Sequence, residues 1–224
     1  MKVKIFAAII VSTLAAFPLA KAEAGDRYLS FDIVGGVTGD ELGGFNTLGT
    51  FSNADDRQNE HFGLSLSYGL RDAATIGGIR LTPELEFAWL DDYSTTTASF
   101  PGLPTPLVFY STSIQTARLG GNVWWPVQES ALWRTEIGIG AGLLYRDIST
   151  TDGVVAGSGD DFSGYGQLGI RALRSVGPRG KLKVGVNYVR AGETDISLNG
   201  GAAGSYSVNT DSLELRLGYE LKLN

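Results

Sequence analysis

Apolar and polar residues alternate one for one through most of this chain. Over Glu60–Leu70, Phe62, Leu64, Leu66, Tyr68 and Leu70 interleave with His61, Gly63, Ser65, Ser67 and Gly69. Over Arg80–Asp91, Leu81, Leu85, Phe87 and Trp89 alternate with Arg80, Thr82, Glu84, Glu86 and Ala88. Trp133–Tyr145 and Ser212–Leu223 repeat the pattern, and weaker versions run through Tyr28–Val37, Ile114–Trp125, Phe162–Arg174 and Lys181–Arg190. Successive side chains of a strand point to opposite faces, so a period of two predicts strands with one apolar face. No window carries the 3.6-residue period of an amphipathic helix. The pattern predicts an all-β chain of eight strands.

The connections alternate in length. Long ones are expected near Thr38–Asn59, Asp92–Ser113, Ile148–Asp161 and Ala191–Tyr206, short ones near Asp72–Gly78, Pro126–Ser130 and Ser175–Gly180. The short ones hold the Gly and Pro chemistry of tight turns. Such an order predicts an antiparallel up-and-down meander with every long loop at one end.

Alternation alone does not separate a barrel in a bilayer from a soluble carrier, because the two bury opposite faces. The polar face decides. It carries Gly36, Gly63, Gly69, Gly120, Gly138, Gly140, Gly142, Gly169, Gly185 and Gly218. An eight-stranded barrel has a bore only wide enough for side chains to fill. Small residues therefore belong inside, and the bulky Leu, Ile, Phe and Trp set outside. Aromatic residues add to this. Tyr28, Tyr68, Trp125, Trp133 and Tyr219 are expected on the apolar face near the short turns, and Trp89, Tyr145, Phe162 and Tyr188 near the long loops. Two aromatic belts bracketing aliphatic residues match the girdles of transmembrane barrels.

Composition narrows the chemistry. The chain has 224 residues, 31 of them Gly, with no Cys and one His. No disulfide scaffold or thiol nucleophile is available, and a His-based metal site would rest on His61 alone. Lys2 and Lys4, an apolar run from Ile5 to Ala20 and the small residues of Ala20-Lys21-Ala22 predict a signal peptide over residues 1–22, cleaved on export. Residues 23–224 then form a single barrel domain. Removing Lys2, Lys4 and Lys21 takes three of the 18 basic groups and deepens the formal charge from −6 to −9. An acidic exported chain speaks against nucleic acid as a partner.

The signal peptide, the eight alternating segments and the closing Arg216-Leu217-Gly218-Tyr219-Glu220-Leu221-Lys222-Leu223 together resemble small Gram-negative outer-membrane β-barrels. The likeness is to the group related to the OmpA membrane domain and the opacity-type porins. It implies an eight-stranded transmembrane barrel in the cell outer membrane, in contact with membrane lipid and lipopolysaccharide. Arg216, Gly218, Leu221 and Leu223 occupy the places of that family's signal for the barrel-assembly machinery. The usual final aromatic is here replaced by Leu223-Asn224.

If the glycine face is internal, it also carries charges: Arg80, Glu84, Glu86, Arg118, Arg134, Glu136, Arg171, Lys183, Glu214 and Arg216, with Glu220 and Lys222 at the end. Desolvated charges persist when paired, so a salt-bridge network filling the lumen is expected. That network is either a structural plug or a gated ion path. The long loops are acidic, through Asp40, Glu41, Asp55, Asp56, Asp91, Asp92, Asp147, Asp160 and Asp161 among others. They form either a solvated surface or a rim that attracts divalent cations, and no dedicated metal site is expected. The stretch Phe100–Tyr110 stands apart, with three prolines and apolar Phe100, Leu103, Phe109 and Tyr110. It reads as a surface contacting a host or other extracellular partner, or as a cap on the barrel mouth. His61 and Ser65 lie on one face but four residues apart, roughly 13 Å along a strand. No catalytic set or cofactor is expected. The sequence thus predicts a non-enzymatic barrel that stabilises the outer membrane and displays acidic loops, for adhesion or other interaction. The alternative is a narrow porin-like channel for small ions or small hydrophobic molecules.

Overall fold

The computed structural model describes residues 26–46, 49–53, 58–100, 108–154, 156–200 and 204–223. The expected signal peptide, Asp55, Asp56 and Leu103 lie outside the described residues. Ten strands follow in chain order: β1 (Asp26–Asn46), β2 (Gly49–Asn53), β3 (Asn59–Arg71), β4 (Ala74–Ile76), β5 (Ile79–Phe100), β6 (Val108–Glu129), β7 (Trp133–Thr151), β8 (Ala156–Ser175), β9 (Gly180–Gly200) and β10 (Gly204–Lys222). They make eight staves. β2 continues the stave of β3 upward between β1 and β5, and β4 folds onto the base of β5. All neighbours are antiparallel, and β10 closes on β1 from Tyr28↔Lys222 to Asn46↔Gly204. Closure gives the wall's backbone groups partners within the sheet, the condition for β-structure in hydrocarbon.

The register fixes the bore. Crossing the wall pair by pair, Tyr28 leads to Gly69, Glu84, Asn122, Gly140, Gln167, Val189, Ser212 and back to Thr38, ten residues above the start. Strand number and this stagger together set the tilt and leave an interior that side chains fill. Trp124 lies across the bore, and a Cβ at Gly138 or Gly169 would run into its ring. At those two positions glycine is a packing requirement.

Outside, Leu64, Ile139, Leu143, Leu168, Ile170, Leu213, Leu215 and Leu217 form an exposed apolar belt. Tyr68, Trp125, Trp133 and Tyr219 edge it below; Trp89, Tyr145, Phe162 and Tyr188 edge it above. Trp133 and Tyr145 are twelve residues apart on β7, roughly 30 Å of height at the rise and tilt of barrel strands. That matches a bilayer's hydrocarbon layer. Tyr28 does not belong to the lower girdle as expected. It is 1% exposed and faces the lumen, because Leu29, Phe31 and Ile33 take the lipid side of β1 and leave the alternate positions inside.

The long connections are corrected most. Residues expected to be loops are largely strand: β7 and β8 run six residues past Tyr145 and Phe162, and β5 and β9 eleven and twelve past Trp89 and Tyr188, roughly 15–30 Å above the upper girdle. In this upper section the pattern turns inside out. Leu42, Tyr93, Ile114, Ile148, Ile196, Tyr206 and Val208 pack inward as an apolar core. Asp91, Asp92, Asp147, Asp160 and Asp161 face outward into water. Interruptions of register between Leu90 and Tyr93, between Val208 and Thr210, and between Ser158 and Tyr165 accompany the change. β-Bulges add a residue to one strand and so shift which residues face inward. Below the upper girdle the barrel is built for lipid. Above it, the barrel is built as a soluble protein is.

Candidate functional site: the ion-paired lumen

Within the membrane section the inward face is mainly polar, with Val34, Ala88 and Leu173 among its apolar members, and its charges are interlocked. The lower layer centres on Glu136, which is fully buried. One of its carboxylate oxygens accepts from Arg71 Nη1 at 2.9 Å and Arg134 Nε at 2.6 Å, and the other from Arg171 Nε at 2.7 Å. Arg71 also donates to Glu220. Arg171 reaches up to Glu84 at 2.7 Å and lies over the Trp124 ring at 4.1 Å. Glu84 further accepts from the Tyr28 hydroxyl at 2.6 Å and Trp124 Nε1 at 3.2 Å.

The middle layer continues without a break. Asn122 bridges Glu84 and Glu86, and Arg216 joins Glu86 at 2.8 Å to Glu214 at 2.9 Å. Arg118 closes on Glu214 at 2.7 Å. On the opposite wall Lys183 meets Asp32 at 2.7 Å, and Ser65 donates to the same carboxylate. A Cβ at Gly218 would collide with that Asp32 carboxylate, so glycine there makes room for the pair. These buried charges persist because each has an opposite charge against it.

Above this layer apolar side chains take most of the lumen, around the fully buried Arg146, which donates to the Gly192 and Val208 carbonyls and to the Thr210 hydroxyl. Leu144, Tyr165, Val189 and Ala191 form one buried cluster, and the upper core follows it. Between them is a cavity of about 20 Å³, lined by Leu90, Tyr93, Arg118 and Leu144 among others, room for about one water. Higher still, Tyr206 donates to Thr97 at 2.9 Å and lies 3.0 Å from Thr112, whose hydroxyl meets Thr150.

The sequence-predicted charges fall into two groups. Glu84, Glu86, Arg118, Arg134, Glu136, Arg171, Lys183, Glu214 and Arg216 line the lumen, with Glu220 at its base. Arg80 does not. Its side chain is 46% exposed at the lower rim, where it meets Asp72 and Glu129. Strand parity alone aims it inward, but β5 begins beyond the edge of the wall there. Lys222 likewise sits in water and pairs with Asp26 at 2.7 Å. Asp72, in the turn below the girdle, is pushed up by partial burial. The hydrogen bond and charge of Arg134 outweigh this and hold its carboxyl below the ordinary value.

Sequence reasoning missed Asp32, Arg71, Tyr28, Trp124, Asn122 and Gln167, all buried in the lumen. Parity was the available signal: Asp32 alternates with Phe31 and Ile33, and Arg71 continues the series from Gly63 to Gly69. In the terminal segment, Arg216 is a lumen residue, Leu221 faces outward, and the Leu223 amide donates to Arg27 at 2.7 Å. Around Phe100–Tyr110, Phe109 is exposed while Tyr110 is buried, so Tyr110 is no part of an outer contact surface. His61 and Ser65 do not meet. His61 Nδ1 is 2.9 Å from the Thr38 hydroxyl, and Ser65 turns to Asp32.

No protein-family model matches the chain, and no curated protein matches it in sequence. Solved structures match in fold. A major outer membrane protein from Thermus thermophilus aligns with a TM-score of 0.54 at 15% identity, over 87% of this chain and 99% of that one. The outer membrane protein OprG from Pseudomonas aeruginosa aligns at 0.53 and 13%, over 90% and 97%. The outer membrane protease OmpT from Escherichia coli aligns at 0.53 and 10%, over 90% and 98%. The fold is that of the outer-membrane β-barrels. The apolar belt between two aromatic girdles fits this closed barrel to a bilayer.

Proposed function

We propose that this chain is a non-enzymatic, non-conducting outer-membrane barrel that stabilises the membrane and displays an acidic collar outside it. The observation that carries this reading is the double closure of the bore, by ion pairs within the bilayer and by an apolar core above. An ion crossing the axis would have to break pairs such as Arg171–Glu84 and then pass Ile114, Ile148 and Val208 without hydration. The outward face above the upper girdle supports display. Asp91 and Asp92 on β5, Asp147 on β7 and Asp160 and Asp161 on β8 lie one to three residues above Trp89, Tyr145 and Phe162, at the level of the lipid headgroups. We assign lipopolysaccharide, whose phosphates reach this level through divalent cations, as the collar's first partner, and an extracellular or host surface as the second. The terminal Arg216, Gly218, Leu221 and Leu223 are assigned to recognition by the barrel-assembly machinery. The likeness to a protease is one of fold, and the pairing of His61 with Thr38 rather than Ser65 favours the non-enzymatic reading.

Planar-bilayer recording tests the closed bore. The folded protein is expected to give no discrete conductance steps at either polarity, and Arg134→Ala or Glu84→Ala to give only irregular leak. Regular steps in the wild-type protein, abolished by either substitution, would establish the gated channel instead.

A further inference from the structure

The charges of this barrel are distributed unevenly along its axis. The outer section is acidic, whereas the lower mouth holds a cavity of about 160 Å³ lined by five cations: Arg27, Arg71, Arg179, Lys181 and Lys222. Two carboxylates share the lining, Asp26 and Glu220. Asp26 is engaged by Lys222 at 2.7 Å, and Glu220 by Arg71. Lys181 stands 3.9 Å from Glu220, beyond hydrogen-bonding reach. Arg27 and Arg179 are exposed, so positive charge exceeds negative on the cavity wall.

The cavity is also a built one. Its floor is the Arg71 guanidinium, 7% exposed, fixed by Glu136 and stacked over the Tyr28 ring at 4.8 Å. Its side is the turn from Ser175 to Gly180, which is pinned to β10 by the Lys222 amide donating to the Arg179 carbonyl. Lys181 lies below the lower girdle, and burial together with the charge of Arg71 holds its amine below the ordinary value.

We propose that this mouth binds the phosphodiester of an anionic phospholipid from the inner leaflet. Position argues for the source. Glu220 and Lys222 lie one and three residues below the Tyr219 girdle, toward headgroup depth, and Arg27 shares the outward face of β1 with Leu29, so part of the pocket lining is on the lipid side of the wall. Arg179 and Lys181 would donate to the phosphate oxygens, Arg27 would meet the headgroup from the wall, and Arg71 would supply charge from the floor. Binding here would seat the lower rim in its leaflet, independently of what the outer collar contacts.

The test titrates the full-length barrel, folded in neutral detergent, with short-chain phosphatidylglycerol, short-chain phosphatidylcholine and inorganic phosphate, following bound phosphorus by ³¹P NMR. Phosphatidylglycerol is expected to bind at least about tenfold more tightly than phosphatidylcholine. Arg179→Gln/Lys181→Gln is expected to weaken it at least about tenfold, the scale of losing a charged hydrogen bond. Asp26→Asn, which removes a carboxylate from an exposed rim position, should tighten binding. Arg190→Gln at the outer end should leave it unchanged. Inorganic phosphate bound with the same variant dependence, but without any lipid binding, would retain the phosphate chemistry and overturn the lipid source. Equal binding by the double variant and the wild type, or an equal response to Arg190→Gln, would overturn the site.

Discussion

Glu136→Ala should cost more stability than any other single charge removal in the lumen. Its carboxylate is the shared acceptor of Arg71, Arg134 and Arg171, and no part of it reaches solvent. Breaking a buried ion pair by removing one partner costs about 3–5 kcal/mol, because the other charge stays buried without compensation. Here three guanidinium groups lose an acceptor at once. Arg134 keeps Asp72 and Glu129, Arg71 keeps Glu220, and Arg171 keeps Glu84. The expected loss is therefore about 4 kcal/mol rather than three times that. It would be read as a lower urea midpoint for unfolding from lipid vesicles, with a matching fall in the temperature at which the fast-migrating band disappears in SDS gels. Glu136→Gln keeps the shape and an acceptor and should lose less. Glu129→Ala removes a partner of Arg134 that is 43% exposed and should cost at most about 1 kcal/mol. Equal effects of Glu136→Ala and Glu129→Ala would mean that the lumen is wet and loosely held.

The second large effect separates lipid from water as the solvent of an exposed residue. Ile139, 52% exposed, lies midway between the girdles on β7, and Val154, 92% exposed, lies at the β7–β8 tip above the membrane. By exposure alone, arginine should be well tolerated at both, and best at Val154. If the belt faces hydrocarbon, Ile139→Arg costs about 2–4 kcal/mol, the scale for arginine on the lipid face at mid-depth. Val154→Arg should stay within about 0.5 kcal/mol of wild type. Unfolding titrations of both variants in vesicles measure the difference. Near-equal stabilities would place Ile139 outside the hydrocarbon.

How far the sequence leads depends on which solvent surrounds a given stretch of strand. Between the girdles the contrast is greatest: Leu213, Leu215 and Leu217 against Glu214, Arg216 and Gly218 leave one assignment of faces. Eight staves, their order and most lumen charges were legible from that alternation. Above the girdle the outer face becomes Ser, Thr, Asp and Gly. Stretches such as Ser94–Ser99 then resemble loop composition, although Thr95 and Thr97 face inward on a regular strand. Alternation survives there with its polarity reversed, and register interruptions near Asp91 and Thr194 break the count. Tyr28 and Trp124 were misplaced or missed for a related reason. An aromatic ring with a polar tip suits either a girdle or a lumen, and only the register shows Tyr28 aimed at Glu84. Arg80 shows the opposite limit, where parity is right but the wall has already ended.

Because the chain has no cysteine, single-cysteine spin labels placed along β10 from Ser205 to Leu221 give a clean reading of face and depth. Collision rates with dissolved oxygen and with a water-soluble nickel chelate are measured at each position in vesicles. The expected profile has oxygen access peaking at Leu213, Leu215 and Leu217, with Glu214 and Arg216 shielded from both reagents. Tyr206 and Val208 should be shielded as well, and Ser205 and Ser207 open to the nickel reagent. Oxygen access at Glu214 and Arg216, with Leu215 shielded, would turn the barrel inside out and contradict the membrane assignment.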